Sequence, residues 1–559
     1  MSHSKAAKII SMMLVFMFLV LCGCSSNNNG KPSDVSSSDN VSSEGTVNSD
    51  TMDNTPGYLN KEGFPIVKEP ITLRIFAAQA VFQPEYQDIY LMQKYEEITG
   101  IKIEWINVPR ENLKEKVNLA FASGDLPDAF LKCSIEAANQ LRYGQEGLIL
   151  NLNENDLLQK YAPNFYAYMQ KFPDVRQSQT FPNGAIYSIP AATEAESTRI
   201  NRKIFYNKDW LTKLNLEQPT TTDELYNVLK AFKTMDPNGN GEADEIPFSQ
   251  TPGNLYQIFA GAFGLMNRGV HHTEFDVDET TGKVRHIRTA PEYREMLAYL
   301  NKLYSEGLIN QECFNYTDQI AAAWVAQDRL GMYVNTNLAQ LPKEKAEATF
   351  VACESAIKGP NGDQLWPSIR SHLHSTGAFV ITTECKYPEA ALRWVDYFYS
   401  DEGVLFYHYG IEGDTCVKNS DGSYDYAQKI YDEITGNKSF DEVIAKYSPY
   451  VYGNNPTIMK YPYFSGQEMT PIPMKAAANL MPYTPKEVWP FFTYTDEETQ
   501  IINEYSSAVN DYCMQMSAEF LTGRRPLDDK NWDEYVKTVH SLGLDKLLEA
   551  QEAAYSRIK

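Results

Sequence analysis

Between Ile71 and Leu131 the apolar residues switch between a strand-like and a helix-like period four times, and this alternation restricts the fold class more than any other feature of the chain. Ile71-Thr-Leu-Arg-Ile-Phe76 reads as a strand, Tyr90 to Thr99 as a helix closed by Gly100, and Ile101-Lys-Ile-Glu-Trp-Ile106 as an alternating strand. Leu113 to Ser123 forms a second amphipathic helix ended by Gly124, and Asp128-Ala-Phe-Leu131 a short third strand. A β-α-β-α-β order predicts a parallel sheet with right-handed crossovers. Ligands meet such sheets at the carboxyl ends of the strands, which makes Gln79, Lys132 and Ser134 candidate cleft residues.

The chain has 559 residues, whereas a single hydrophobic core stops growing near ~250–300. At least two lobes are expected. Ala185-Ile-Tyr-Ser-Ile-Pro-Ala-Ala-Thr-Glu194 and Arg202-Lys-Ile-Phe-Tyr-Asn-Lys-Asp-Trp210 are two β-branched and aromatic runs separated by a polar loop. They mark the passage from one lobe to the next, with Asn207 breaking the second run and Asp209 able to cap the segment after it.

These runs, with the helix start Pro219-Thr-Thr-Thr-Asp-Glu-Leu225, resemble the first interlobe crossing of extracellular solute-binding proteins of ABC importers. Ile98 to Trp105, Ala122 to Phe130, Pro388 to Gly403 with Tyr409 to Gly413, and Phe520 to Leu544 are similar to the opening, return and ending of the same family. The resemblance covers nearly everything after Ile66. It implies an α/β, two-lobed periplasmic-binding-protein-like fold of the class II type, with parallel-sheet lobes joined by a hinge and extra C-terminal helices. The expected divisions are a first lobe over 70–190, a second over 191–373, a return over 374–415, and 416–559 mostly in the second lobe and the C-terminal helices.

Lys5 and Lys8 precede the apolar run Ile9 to Leu21, too short for the ~20 residues of a spanning helix, so residues 1–23 read as an export signal. Leu21-Cys-Gly-Cys24 resembles the bacterial lipobox, which implies lipidation (palmitate) of Cys24 and a protein on the extracytoplasmic face of the cell membrane. Residues 24–69 read as a tether, polar enough up to about Gly57 to lack a core of their own. Six further cysteines stand about thirty or more residues apart and make no Cys-x-x-Cys motif, so most are expected to be buried thiols.

The formal net charge of −23 argues against a nucleic-acid partner and weighs against a polyanionic ligand, unless a local basic pocket overrides it. Asp236-Pro-Asn-Gly-Asn-Gly-Glu-Ala-Asp-Glu-Ile-Pro247 carries the first half of an EF-hand loop, with oxygens at Asp236, Asn238 and Asn240 and a turn at Gly241. Its twelfth position is Pro247 instead of a bidentate Glu, so a closing carboxylate must come from Asp244 or Glu245. Similarity to loops of the solute-binding family implies structural calcium held by Asp236, Asn238, Asn240, the main-chain oxygen of Glu242, Asp244 and Glu245.

Family likeness further implies ligand contacts from Glu194 at the crossing, Tyr256 at a helix start, Trp324, and the strand-end residues Asn335 and Asn337. An indole face can stack on a sugar while Asn serves its hydroxyls. Tyr447, Tyr450, Tyr452, Tyr461 and Tyr463 crowd one later stretch and suit the same purpose. The expected function is capture of an oligosaccharide by a monomeric protein for an ABC permease, without chemistry. A peptide or other polar solute is the alternative ligand, and a secreted carbohydrate-active enzyme the alternative class, although no nucleophile elbow or other catalytic motif stands out.

Overall fold

The computed structural model describes residues 55–434, 440–451 and 453–559. The export signal, Cys24 and most of the tether lie outside the described residues, as does Tyr452. In chain order the strands are β1 (Ile71–Gln79), β2 (Ile101–Pro109), β3 (Ala129–Leu131), β4 (Ile189–Thr193), β5 (Lys203–Asn207), β6 (Ile246–Phe248) and β7 (Phe275–Asp278). They continue with β8 (Lys283–His286), β9 (Leu330–Asn335), β10 (Phe350–Ala352), β11 (Leu373–Ile381), β12 (Cys416–Lys418), β13 (Tyr424–Tyr426) and β14 (Ile458–Met459).

Two main sheets result, one ordered β14-β4-β11-β3-β1-β2 and the other β10-β5-β9-β6. The helices Tyr90–Thr99 and Leu113–Ser123 end where Gly100 and Gly124 turn left-handed, at φ 73° and 75°. Glycine takes that conformation without a Cβ clash. These helices return the chain so that β2 and β3 flank β1, both parallel to it. One face of the first sheet buries Leu73, Ile75, Tyr95 and Trp394, and the other Phe76, Phe121, Phe130 and Tyr143. The second sheet shares a single large core with the C-terminal helices, including Phe205, Tyr333, Phe520, Trp532 and Tyr555.

The sheets are mixed where parallel lobes were expected. β11 runs antiparallel to both β3 and β4, and β5 antiparallel to both β9 and β10. Each reversed strand is the first to arrive from the other sheet. It needs no crossover helix of its own, and so is not held to the parallel direction that such a connection imposes.

The chain passes between the sheets three times: between β4 and β5, between β10 and β11, and between β14 and the helix Pro471–Leu480. The last passage lies later than the expected boundary at 416, because β14 pairs with β4 in the first sheet. The end of the expected tether is likewise folded: Leu59, Ile66 and Val67 are buried in the first core, and Tyr58 donates to Glu389 at 2.6 Å.

Local details obey the same physics. Thr221 caps the helix Thr222–Thr234 in a reciprocal box with Glu224. The cap of the helix Lys208–Lys213 is Asn207, which accepts from Trp210 N at 3.2 Å, and Asp209 lies inside the first turn. All six described cysteines are buried thiols.

Candidate ligand-binding cleft

The three passages meet at one cavity of about 240 Å³ between the sheets. The first contributes Thr198 and Asn201, the end of β9 contributes Thr336, and the second passage contributes Arg370 with His374 at the start of β11. Tyr450 and Asn455 lead into β14, and Phe464 and Glu468 come after it. Ala191 and Ala192 of β4 form the floor.

Backbone carbonyls are spent on holding this wall together. The buried Lys203 ammonium donates to Ser197 O at 2.7 Å, Ile200 O at 2.9 Å and Thr336 O at 2.7 Å. On the first sheet Lys132, at φ 60°, donates to Pro449 O and Val451 O at 3.0 and 3.1 Å, which fixes the loop carrying Tyr450. Burial pulls both amines down to about 7. It also pulls Arg370 down to about 10 and His374 to about 3, so the histidine is neutral.

The rings of Tyr450 and Phe464 meet edge to face at 5.5 Å, with His408 4.2 Å from Tyr450. Asn455 accepts from the Tyr407 hydroxyl at 3.0 Å and Glu468 from the Asn337 amide at 3.0 Å. Amides, hydroxyls, one guanidinium and one carboxylate beside an aromatic corner can bind a hydroxyl-rich polar solute.

Of the residues expected from sequence, Lys132 and Asn337 stand directly behind this wall, and Asn335 adjoins it. Asn335 donates to Asp318 at 3.1 Å and to the Tyr333 hydroxyl at 2.7 Å, and accepts from Arg202. Trp324 packs 6.2 Å from Tyr316 in the same part of the second lobe. Glu194 pairs with Lys171 at 2.9 Å, Gln79 donates to Gln83 O, and Ser134 is exposed.

Tyr256 is apart from these residues. It is buried in the second core against Tyr293 and Arg288, and lines a separate cavity of about 160 Å³. Asn201, Arg370, Asn455 and Glu468 were not anticipated. Asn201 immediately precedes the strand-like run at Arg202 and could have been read from it; Glu468 carries no local signal.

The family model for bacterial extracellular solute-binding proteins matches residues 78–405, more than half of the chain. The chain belongs to that family. This solute-binding protein is 28% identical over 516 residues to the fructooligosaccharide ABC transporter substrate-binding protein FusA of Streptococcus pneumoniae, covering 90% of this chain and 93% of that protein. The structure of a FusA EF-hand mutant with fructo-nystose matches with a TM-score of 0.67 at 26% identity, over 87% of this chain and 99% of that one. Lipoprotein LipO of Bacillus subtilis is 27% identical over 345 residues, 58% of this chain and 63% of its own. The fold alone is shared with an extracellular solute-binding protein of Bifidobacterium longum subsp. infantis, at TM-score 0.73, 24% identity, and coverage of 88% and 98%.

In this solute-binding protein the 236–247 loop is wound around its own oxygens. Asp236 accepts from the backbone N–H groups of Gly239, Asn240 and Gly241 at 2.8, 3.1 and 3.1 Å. The Asn238 and Asn240 amides both reach Asp244 Oδ1, at 3.0 and 3.1 Å, and Arg329 reaches Asp244 Oδ2 at 3.1 Å. Burial acts against ionisation of Asp244, but these partners hold it below the ordinary carboxylate range. Glu245 is buried, its Oε1 is without a hydrogen-bond partner, and burial raises its carboxyl. Glu242 donates its N–H to Asn240 Oδ1 at 2.7 Å. Among the described residues no group of three His, Cys, Asp or Glu side chains is arranged to hold a metal. An ion in this loop would depend on Asn and main-chain oxygens as well. The orphaned Glu245 oxygen and the Asn–Asp244 cluster fit such an oxygen-only cation.

Proposed function

We propose that the protein captures an oligosaccharide between its two lobes and delivers it, unaltered, to an ABC permease. The observation that carries this reading is the cavity wall, which brings Thr198, Asn201, Thr336 and Asn455 together with the ring corner of Tyr450 and Phe464. Polar groups suited to sugar hydroxyls and rings suited to a C–H face are the two parts such a ligand requires. FusA, a relative by sequence and fold, is a fructooligosaccharide-binding protein of an ABC transporter. Because each passage between the sheets contributes to the wall, ligand contacts favour the closed arrangement of the lobes, and binding energy shifts an open–closed equilibrium.

The same reading includes a lipid anchor at Cys24, on the lipobox residues and the lipoprotein relative LipO. It includes calcium in the 236–247 loop, held by Asp236, Asn238, Asn240, Asp244, Glu245 and the main chain at Glu242. That FusA has an EF-hand, the part altered in its fructo-nystose complex, supports this assignment. The protein acts as a monomer on the outer face of the membrane.

Equilibrium dialysis of the full chain against a glycan library and, separately, a peptide library tests the proposal. Retention of a glycan with unchanged mass supports it. Retention of peptides alone, or recovery of a cleaved glycan, overturns it.

A further inference from the structure

Arginines packed into the second lobe elsewhere are matched by carboxylates. Arg288 pairs with Glu274, and Arg285 with Asp276 at 2.7 Å. The cations at the cleft are different. Arg370 donates to Asn201 Oδ1, Arg199 to Arg370 O at 3.2 Å, and Lys203 only to carbonyls. Arg202 donates to Asn254 Oδ1 at 3.1 Å and to Asn335 Oδ1 at 3.5 Å, and its buried Nε has no partner.

None of these four cations forms an ion pair within 4.0 Å among the described residues. The cavity lining holds one carboxylate, Glu468, which accepts from Asn337 and acts on Arg370 and Lys203 from beyond ion-pair distance, and Asp318 lies farther along at Asn335. Of the four, Arg370 is the one in the cavity lining.

Burying a guanidinium against neutral acceptors is costly, and a carboxylate that enters with the ligand offsets that cost through a two-pronged, charge-assisted contact. Burial lowers Arg199, Arg202 and Arg370, while Asp174, Asp318 and Glu468 respectively act against that shift.

We propose that the ligand of this cleft is acidic: a uronate-bearing oligosaccharide whose carboxylate pairs with the Arg370 guanidinium. This rests on the oligosaccharide reading and narrows it.

Calorimetric titration of the full chain with a panel of uronic-acid oligosaccharides, oligogalacturonate among them, and with the same oligomers after carboxyl reduction, tests it. At least one acid is expected to bind, and its reduced form roughly 10- to 100-fold more weakly. Arg370→Gln should bring the acid down to the level of the reduced form, with Arg370→Lys between them, because lysine keeps the charge and loses the fork. Glu468→Gln, which removes the lining carboxylate, should tighten acid binding a fewfold, and this keeps the test open if Arg370→Gln fails to fold. Equal or tighter binding of neutral glycans overturns the acidic assignment and leaves the oligosaccharide reading standing. Binding of peptides with no glycan of either kind overturns both.

Discussion

The Lys203 side chain donates to the main-chain oxygen of Thr336 at 2.7 Å, so the first strand to enter the second sheet is tied to the end of the strand beside it. The same ammonium also serves Ser197 O and Ile200 O. Lys203→Met keeps the length of the side chain and removes all three donors. It is expected to cost about 3 kcal/mol of stability, since buried carbonyls left without donors cost about 1–3 kcal/mol each and the site relaxes partly. Denaturant unfolding of the variant checks this, and a loss under about 1 kcal/mol would be against it.

Tyr450 forms the ring wall of the cavity and is held there by the loop that Lys132 binds. Tyr450→Ala should weaken ligand binding roughly 30-fold, as truncation of a central aromatic anchor does. Tyr256→Phe should leave affinity unchanged, because Tyr256 lines a different cavity. Titration of the two variants side by side separates the cleft from the second-lobe core.

His286 and His408 are buried, and burial lowers them to about 4 and about 3. Their folded values lie below the ordinary ~6.5 of the unfolded chain. Between those limits the unfolded state binds more protons, so stability is intact above about pH 6.5 and falls as pH drops toward about 4. Each histidine contributes a slope of up to about 1.4 kcal/mol per pH unit. Denaturant unfolding on both sides of the ordinary histidine range should show the fall, and His408→Phe should make it shallower by one histidine's share while His286 keeps its own.

With calcium in the 236–247 loop, removing it with EGTA should lower Tm, and excess calcium should restore it. Saturation at about 100 times Kd is worth about 2.7 kcal/mol. Asp244→Ala should abolish the calcium response, since Asp244 gathers both Asn side chains and Arg329. A Tm indifferent to EGTA would exclude the ion.

The β1-to-β3 part of the first sheet was legible, because the Gly100 and Gly124 stops and the apolar periods are local signals. The antiparallel direction of β5 and β11 could not, since it depends on which sheet the chain has just left. The cleft was partly legible. Lys132, Asn335 and Asn337 lie at strand ends and stand near the wall, whereas Arg370 and Glu468 reach it through irregular passages with no period to read. Tyr256 lies apart from the cleft, beside Tyr293, and an aromatic at a helix start has the same local pattern in either place.

Hydrogen–deuterium exchange of the full chain, with and without a saturating oligosaccharide, reads out closure of the lobes on the ligand. Capture between the lobes predicts simultaneous protection at 198–202, 336–337, 370–374 and 450–468, segments from all three passages and from the end of β9. Protection confined to one lobe, or centred on the helix that carries Tyr256, would contradict it.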